Sequence, residues 1–173
     1  MNTIENILTR QSIRKFKDEP ISKENIELIL KAAMSGPSCV NSRDFSFIVV
    51  DDKEVLNKMA DANGLPAEPL RNCALGILVC GDLERSFKPA KDYFVVDCSI
   101  ACQNIILAAH DLGIGSVWLG TYPQMDRVNK QKELFNLPDY IIPHSIIALG
   151  YPDENPPLKD KTIEENRIHY NKW

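Results

Sequence analysis

Near the start of the chain, residues 10–16 read RQSIRKF. They set Arg10 and Arg14 on either side of Ser12, with Lys15 beside them. Guanidinium forks match the oxygens of a phosphate, and a hydroxyl adds a neutral donor, so the types and spacing suit an anion. The plainer reading of the same stretch is a solvated basic turn. A second polar stretch, PSCVNSRDF at 37–45, offers Ser38 and Asn41 as short hydrogen-bonding side chains, and it reads equally well as an ordinary turn. No acid–base pair and no Ser–His–acid set stands out. Cys98 and Cys102 are four apart on one helix face, but the three histidines (110, 144, 169) show no ligand spacing, so core thiols are the better reading. The glycines at 113, 115 and 120 run from helix into strand, the reverse of a dinucleotide fingerprint, and no P-loop pattern occurs.

Something must hold these residues in place, and the pattern centres on Asp97–Gly120. Cys98 to Leu112 reads as a helix that is apolar nearly all round, with Asp97 as its N-cap, Gly113 as its stop and a strand over 114–119. Such a helix needs cover on two sides, from its own sheet and from something else, for which a second copy of the chain is a candidate. Gln103 and Asn104 on that helix need partners. Around it the pattern predicts helices at 3–9, 23–35 with Ser22 as N-cap, 53–61 and 125–135. It predicts strands at 45–50, 74–81 and 144–150. This alternation of strand and helix suggests a parallel α/β sheet. The segment after Gly150 holds prolines at 152, 156 and 157 and almost no core pattern. Its Ile163, Ile168, Tyr170 and Trp173 favour a tail laid along another surface.

At 173 residues the chain has room for one domain with a real core. Its formal net charge is −4, so no overall field recruits nucleic acid or an anionic membrane. No apolar run approaches the roughly 18 residues that span a bilayer, and the first twelve residues lack the apolar core of a signal peptide. Five cysteines, an odd number without framework spacing, fit a reducing cytoplasm.

Taken in order, the pieces resemble the FMN-dependent nitroreductase family in its short members. They are Arg-x-Ser-x-Arg-x-Phe at 10–16, Pro-Ser-x-x-Asn at 37–41, Asp-x-x-x-Ala-x-Gln-Asn at 97–104, Leu-Gly-x-Gly-Ser-x-Trp-x-Gly at 112–120, Leu-Gly-Tyr-Pro at 149–152 and a basic tail. Each motif is weak alone; the ordered set is fairly specific. The resemblance implies an α+β fold with a mixed central sheet wrapped by helices, residues 1–150 forming the FMN-binding domain and 151–173 an extension that embraces the partner of a homodimer. It implies that Arg10, Gln11, Ser12 and Arg14 hold the FMN phosphate and that Lys159 and Lys161 close on it. Pro37, Ser38, Cys39 and Asn41 would reach the partner subunit's flavin, and Leu119, Gly120 and Thr121 would run past the ring. NADH or NADPH would be the electron donor, and nitroaromatics, quinones or related small acceptors would be reduced by ping-pong hydride transfer. A non-catalytic FMN carrier, or another flavin reaction on the same scaffold, is the alternative.

The chain departs from that pattern in two places. Position 11 is Gln where the family has Arg, and the Asn loop continues Arg43-Asp44-Phe45 where the family has Gln-Pro-Trp. Arg43 is expected either to add positive charge near the flavin or to pair with Asp44.

Overall fold

The computed structural model describes residues 2–173. The elements in order are α1 (Thr3–Thr9), α2 (Lys23–Met34), β1 (Phe45–Val50), α3 (Lys53–Asn63), β2 (Leu75–Asp82), α4 (Phe94–Asp111), β3 (Gly115–Gly120), α5 (Met125–Leu134) and β4 (Ile141–Gly150). Short 3-10 segments over Leu65–Arg71 and Lys88–Tyr93 lead into β2 and α4. Helix starts follow local chemistry. Asn2, Ser22 and Asp52 each cap a helix by accepting the N–H three residues on.

The fold is α+β, and the four strands form one sheet in the order β1-β2-β4-β3. Every ladder in it is antiparallel. Among the described residues the one parallel pairing is an isolated bridge between Ser12 and Ser116, so the mixed character of the sheet reduces to that bridge. The parallel α/β sheet suggested by strand–helix alternation is not formed, for two reasons. Between β1 and β2 the chain goes out along α3 and returns through the 65–71 segment, so β2 starts beside the end of β1, with Val50 opposite Gly76. Between β2 and β3, α4 does make the crossover expected of parallel strands, but β4 inserts between them and pairs with both.

Two apolar layers cover the sheet. On one face α2 and α4 bury Ile29, Ala33, Cys98, Ala101, Cys102 and Ile105 against Ile77, Val79, Ile147 and Leu149. On the other, α3 and the 65–71 segment pack Leu56, Met59 and Leu70 against Leu78, Ile146 and Ala148. Gln131 ties α5 to α3 by donating Nε2–H to the Met59 carbonyl at 2.9 Å. Residues 88–111 are long and apolar enough by composition to cross a membrane, yet α4 is a core helix here, with eight of its residues buried in the fold.

Helix α4 begins at Phe94, not Cys98, so Asp97 lies inside the first turn and is not its N-cap. Its carboxylate is used elsewhere, as described below. Asn104 donates to the Ala32 carbonyl at 3.0 Å, tying α4 to α2. Gln103 is exposed; together with exposed Val96 and half-buried Ile100 and Leu107 it forms one stripe at helical spacing. That stripe is the side of α4 left uncovered by its own chain.

Candidate functional site

The 10–16 segment is extended, and it lies against the sheet because two glycines admit it. A Cβ on Gly115 would stand 2.8 Å from Ile13 Cβ, and one on Gly150 would stand 2.9 Å from Phe16 Cβ. Ile13 and Phe16 are thereby buried, and Ile13 N–H donates to the Ser116 carbonyl at 2.9 Å. The residues after β4 clamp the other edge. Lys17 N–H donates to the Tyr151 carbonyl at 2.8 Å, Asp153 N–H to the Lys15 carbonyl at 2.9 Å, and Phe16 bridges Pro152. The Glu154 carboxylate accepts the N–H groups of Arg14 and Lys15. Gln11 Nε2 donates to the Pro156 carbonyl at 2.9 Å.

These contacts fold the tail back over the basic segment. The result is a cavity of about 400 Å³ lined by Arg10, Gln11, Ser12, Arg14, Lys159 and Lys161, with Pro156, Pro157 and Leu158. The structure thus brings together six of the residues expected at a phosphate, from both ends of the chain. Among the described residues none of the four cations is ion-paired. A cluster of unpaired cations around a hydroxyl is costly for the protein alone and favourable once an anion enters. A second cavity of about 310 Å³ shares Gln11 and Pro156 with it and reaches His110. His110 is tied to Thr9 across 2.9 Å, and burial, then the Arg10 charge, lower its pKa.

Pro37, Ser38, Cys39 and Asn41 are not part of this cavity. They form a tight loop at the other end of α4. Ser38 Oγ accepts the Arg43 N–H at 3.0 Å, and Cys39 N–H donates to both Asp97 oxygens at 3.1 and 3.0 Å. Asp97 near one end of α4 and His110 near the other are separated by about 20 Å of helix, at 1.5 Å per residue. Arg43 does not pair with Asp44, contrary to one expectation. Its guanidinium lies 5.9 Å from the centre of the Phe45 ring, while Asp44 turns into the interior.

Leu119, Gly120 and Thr121 end β3. Gly120 is exposed, and a Cβ there would meet nothing within 4 Å. Its carbonyl accepts Asn63 Nδ2–H at 3.2 Å and Arg127 Nη1–H at 2.9 Å. Thr121 is wholly buried, its hydroxyl donates to Asn63 Oδ1 at 2.8 Å, and its N–H reaches the His144 carbonyl at 3.2 Å. Burial lowers the His144 pKa to about 4, so its ring is neutral at pH 7. The sequence reading missed Glu154, Pro156, Asn63 and Arg127. Glu154 and Pro156 sit in a tail without periodicity, and Asn63 and Arg127 act through a backbone carbonyl, which leaves no pattern in sequence.

An antiparallel sheet backed by one long apolar helix, with a cationic cavity at its edge, defines a class of fold, and comparison with known proteins gives that class a name. The Nitroreductase family model matches residues 7–64 and 64–151. A protein of Methanothermobacter thermautotrophicus, provisionally named an NADH dehydrogenase/NAD(P)H nitroreductase, is 46% identical over 173 residues, covering 100% of this chain and 88% of its own length. Among solved structures, an FMN-dependent nitroreductase from Clostridium difficile superposes with a TM-score of 0.91 at 32% identity, covering 99% of this chain and 100% of that one. The NADPH:FMN oxidoreductase of Vibrio harveyi, in complex with NAD+, gives 0.89 at 30% identity, covering 100% and 78%. The chain belongs to the nitroreductase family.

Proposed function

We propose that this chain is a cytoplasmic, homodimeric FMN-dependent oxidoreductase. It takes hydride from NADH or NADPH and passes it to nitroaromatics, quinones or a related small acceptor by ping-pong turnover. The observation that carries the reading is the cavity of four unpaired cations and Ser12, which fits a phosphate monoester dianion. FMN, once held, supplies the hydride chemistry, which accounts for a site without an acid–base pair.

The chain's own residues then bind and orient. Arg10, Arg14, Lys159 and Lys161 neutralise the phosphate, while Ser12 and Gln11 add neutral donors. The open face at Gly120 admits a flat ring, with Leu119 and Thr121 on either side of it in sequence, and Asn63 and Arg127 fix that strand end. Pro37, Ser38, Cys39 and Asn41 act on the partner's flavin. One chain holds this loop and the basic cavity at opposite ends of α4. Two α4 helices packed antiparallel about a two-fold along the Val96–Leu107 stripe would bring each loop to the other chain's cavity. Residues 151–173 act as an extension that completes the assembly. Ile163, Tyr170 and Trp173 are 76%, 82% and 99% exposed on the single chain, apolar surface that a partner would cover.

The test is the visible absorbance of the purified protein reconstituted with FMN. It should show bound flavin, lose that absorbance on addition of NAD(P)H and regain it with a quinone or nitroaromatic. Failure to retain FMN refutes the reading. Retention of FMN without acceptor-dependent NAD(P)H oxidation selects the carrier alternative.

A further inference from the structure

Beneath the 38–43 loop lies a feature that flavin binding does not explain. Val40, Asn41 and Arg43 adopt left-handed backbone, with φ of 46°, 56° and 50°. For non-glycine residues, and most of all for β-branched Val40, this conformation is strained and must be held by its surroundings. The anchor is Asp97, which accepts the Cys39 N–H and lies 3.5 Å from Ser42 Oγ. Asp97 lies within hydrogen-bonding reach of Asp44. The two residues are 2% and 0% exposed. Asp44 Oδ2 accepts the Ser86 hydroxyl at 2.6 Å, while its Oδ1 is buried without a partner.

Two ionised carboxylates cannot sit side by side here without compensation. None comes from the groups that face them. The loop contributes the Cys39 thiol and Arg43, whose guanidinium is turned over Phe45. From α4 comes the buried Cys98 thiol. The end of β2 contributes Asp82, and the turn after it contributes Arg85, whose Nε is spent on the Arg43 carbonyl at 3.2 Å. No Lys, Arg or His pairs with either carboxyl among the described residues. A metal is equally ill-suited. No cluster of three or more ligating side chains exists among the described residues, and an N–H donor is aimed at Asp97. What the orphaned Oδ1 requires is a donor, and a proton is the one that fits.

We infer that Asp44 and Asp97 hold one proton between them, as an acid–carboxylate pair that fastens the Ser38–Arg43 loop to the first turn of α4. Placing it on Asp97 gives Asp44 Oδ1 its missing donor and leaves the other Asp97 oxygen to accept the Cys39 N–H. The direction of the Asp97 pKa agrees. Burial, then the neighbouring Asp44, push it up to about 6. Loss of the proton brings a second negative charge into the pair, which favours opening of the loop. Asp44 lies in the Arg43-Asp44-Phe45 run, one of the two places at which the sequence departs from the family pattern. Its bearing on turnover rests on the proposed role of the loop at the flavin, whereas the proton and the loop closure do not.

Two measurements on full-length protein test it without reference to activity. Infrared spectra titrated from pH 4.5 to 8 should show the C=O stretch of one buried carboxylic acid, lost as pH rises and absent from Asp44→Asn and Asp97→Asn. Each Asn variant replaces the shared proton with an amide N–H, so both should fold. Hydrogen exchange of residues 38–44, corrected for intrinsic rates, should show wild-type loop opening rising with pH. Opening is favoured about tenfold for each pH unit by which loop closure raises the ionisation, so an increase of about ten- to a hundredfold is expected. Asp44→Asn should remove that dependence. Absence of the acid band across the range, its persistence in both variants, or an unchanged pH dependence in Asp44→Asn would overturn the inference. If the lock holds and FMN does not bind, the functional reading fails while the lock stands.

Discussion

Replacing Arg10 with Ala should isolate the contribution of one cation to cofactor binding. Arg10 follows α1 as its C-cap, is half-buried beside the cavity and makes no side-chain hydrogen bond or ion pair among the described residues. Removing it therefore takes away positive charge without leaving a partner stranded. A hydrogen bond between a charged donor and phosphate contributes about 1.5–3 kcal/mol, and each 1.4 kcal/mol is tenfold, so FMN should bind about ten- to a hundredfold more weakly. Quenching of flavin fluorescence during titration of apoprotein gives Kd directly, and a thermal melt of the apoprotein should show the fold unchanged. Added salt should weaken the wild-type protein more than the variant, since the variant has one fewer charge to screen. An Arg10→Ala protein that binds FMN as tightly as the wild type would refute the assignment of this cavity to the phosphate.

Deleting residues 157–173 removes Lys159 and Lys161 together with the exposed Ile163, Tyr170 and Trp173. Dissociation to monomer and loss of FMN should then occur over the same protein concentrations in analytical ultracentrifugation. Double-reciprocal plots of NAD(P)H oxidation at several acceptor concentrations should be parallel, and intersecting lines would exclude use of one face by donor and acceptor in turn. Mixing Arg10→Ala chains with chains altered at Ser38 and Asn41 should restore about a quarter of the wild-type sites, because random pairing across a two-fold makes half the dimers mixed, each with one intact site; no recovery would place the loop at its own chain's cavity. Acid stability should reveal two opposed groups. His144, lowered from 6.5 to about 4, is left uncharged in the fold while the unfolded chain takes up a proton, so it costs stability as pH falls through that window, by up to about 3 kcal/mol. Asp97, raised from 3.8 to about 6, binds its proton in the fold first and adds stability as pH falls through 6. Denaturant melts of Asp97→Asn should therefore show a steeper acid loss than the wild type, and an unchanged profile would remove Asp97 from the balance.

The local elements could be read from sequence because their signals are local. Ser22 sits where its hydroxyl meets the Asn25 N–H, and the six residues FSFIVV form β1 over the predicted span. The basic segment was equally visible as a set of types at a spacing. Sheet topology was not visible, since nothing in residues 141–150 states that they slide between β2 and β3. Strand–helix alternation reads the same with or without the insertion. The start of α4 was misplaced because Asp97 has the chemistry of a cap, and its carboxylate is claimed instead by a backbone N–H 58 residues away in sequence. Asp44 is one of two expected companions for Arg43 because they are neighbours, but Arg43 stands in left-handed backbone with φ of 50° and its guanidinium lies over the Phe45 ring, while Asp44 is buried.

The division of the site along α4 follows from where the chain can afford charge. The end of α4 near His110 is bordered by two segments, 10–16 and 151–161, that lie on the surface of the sheet edge, so four cations there keep contact with water. The end near Asp97 is closed over by the 38–43 loop and by the turn carrying Ser86, and the carboxyls of Asp44 and Asp97 are buried there. A phosphate could not be received at the second end, because it would meet like charge in a place from which water is excluded. An apolar ring could be received there, but only after its phosphate had been fixed about 20 Å along the helix axis, at 1.5 Å per residue. In a single chain those requirements pull apart. With two antiparallel α4 helices, as proposed, they would coincide, and the Val96–Leu107 stripe, uncovered by its own chain, lies on the helix that such a pairing would use.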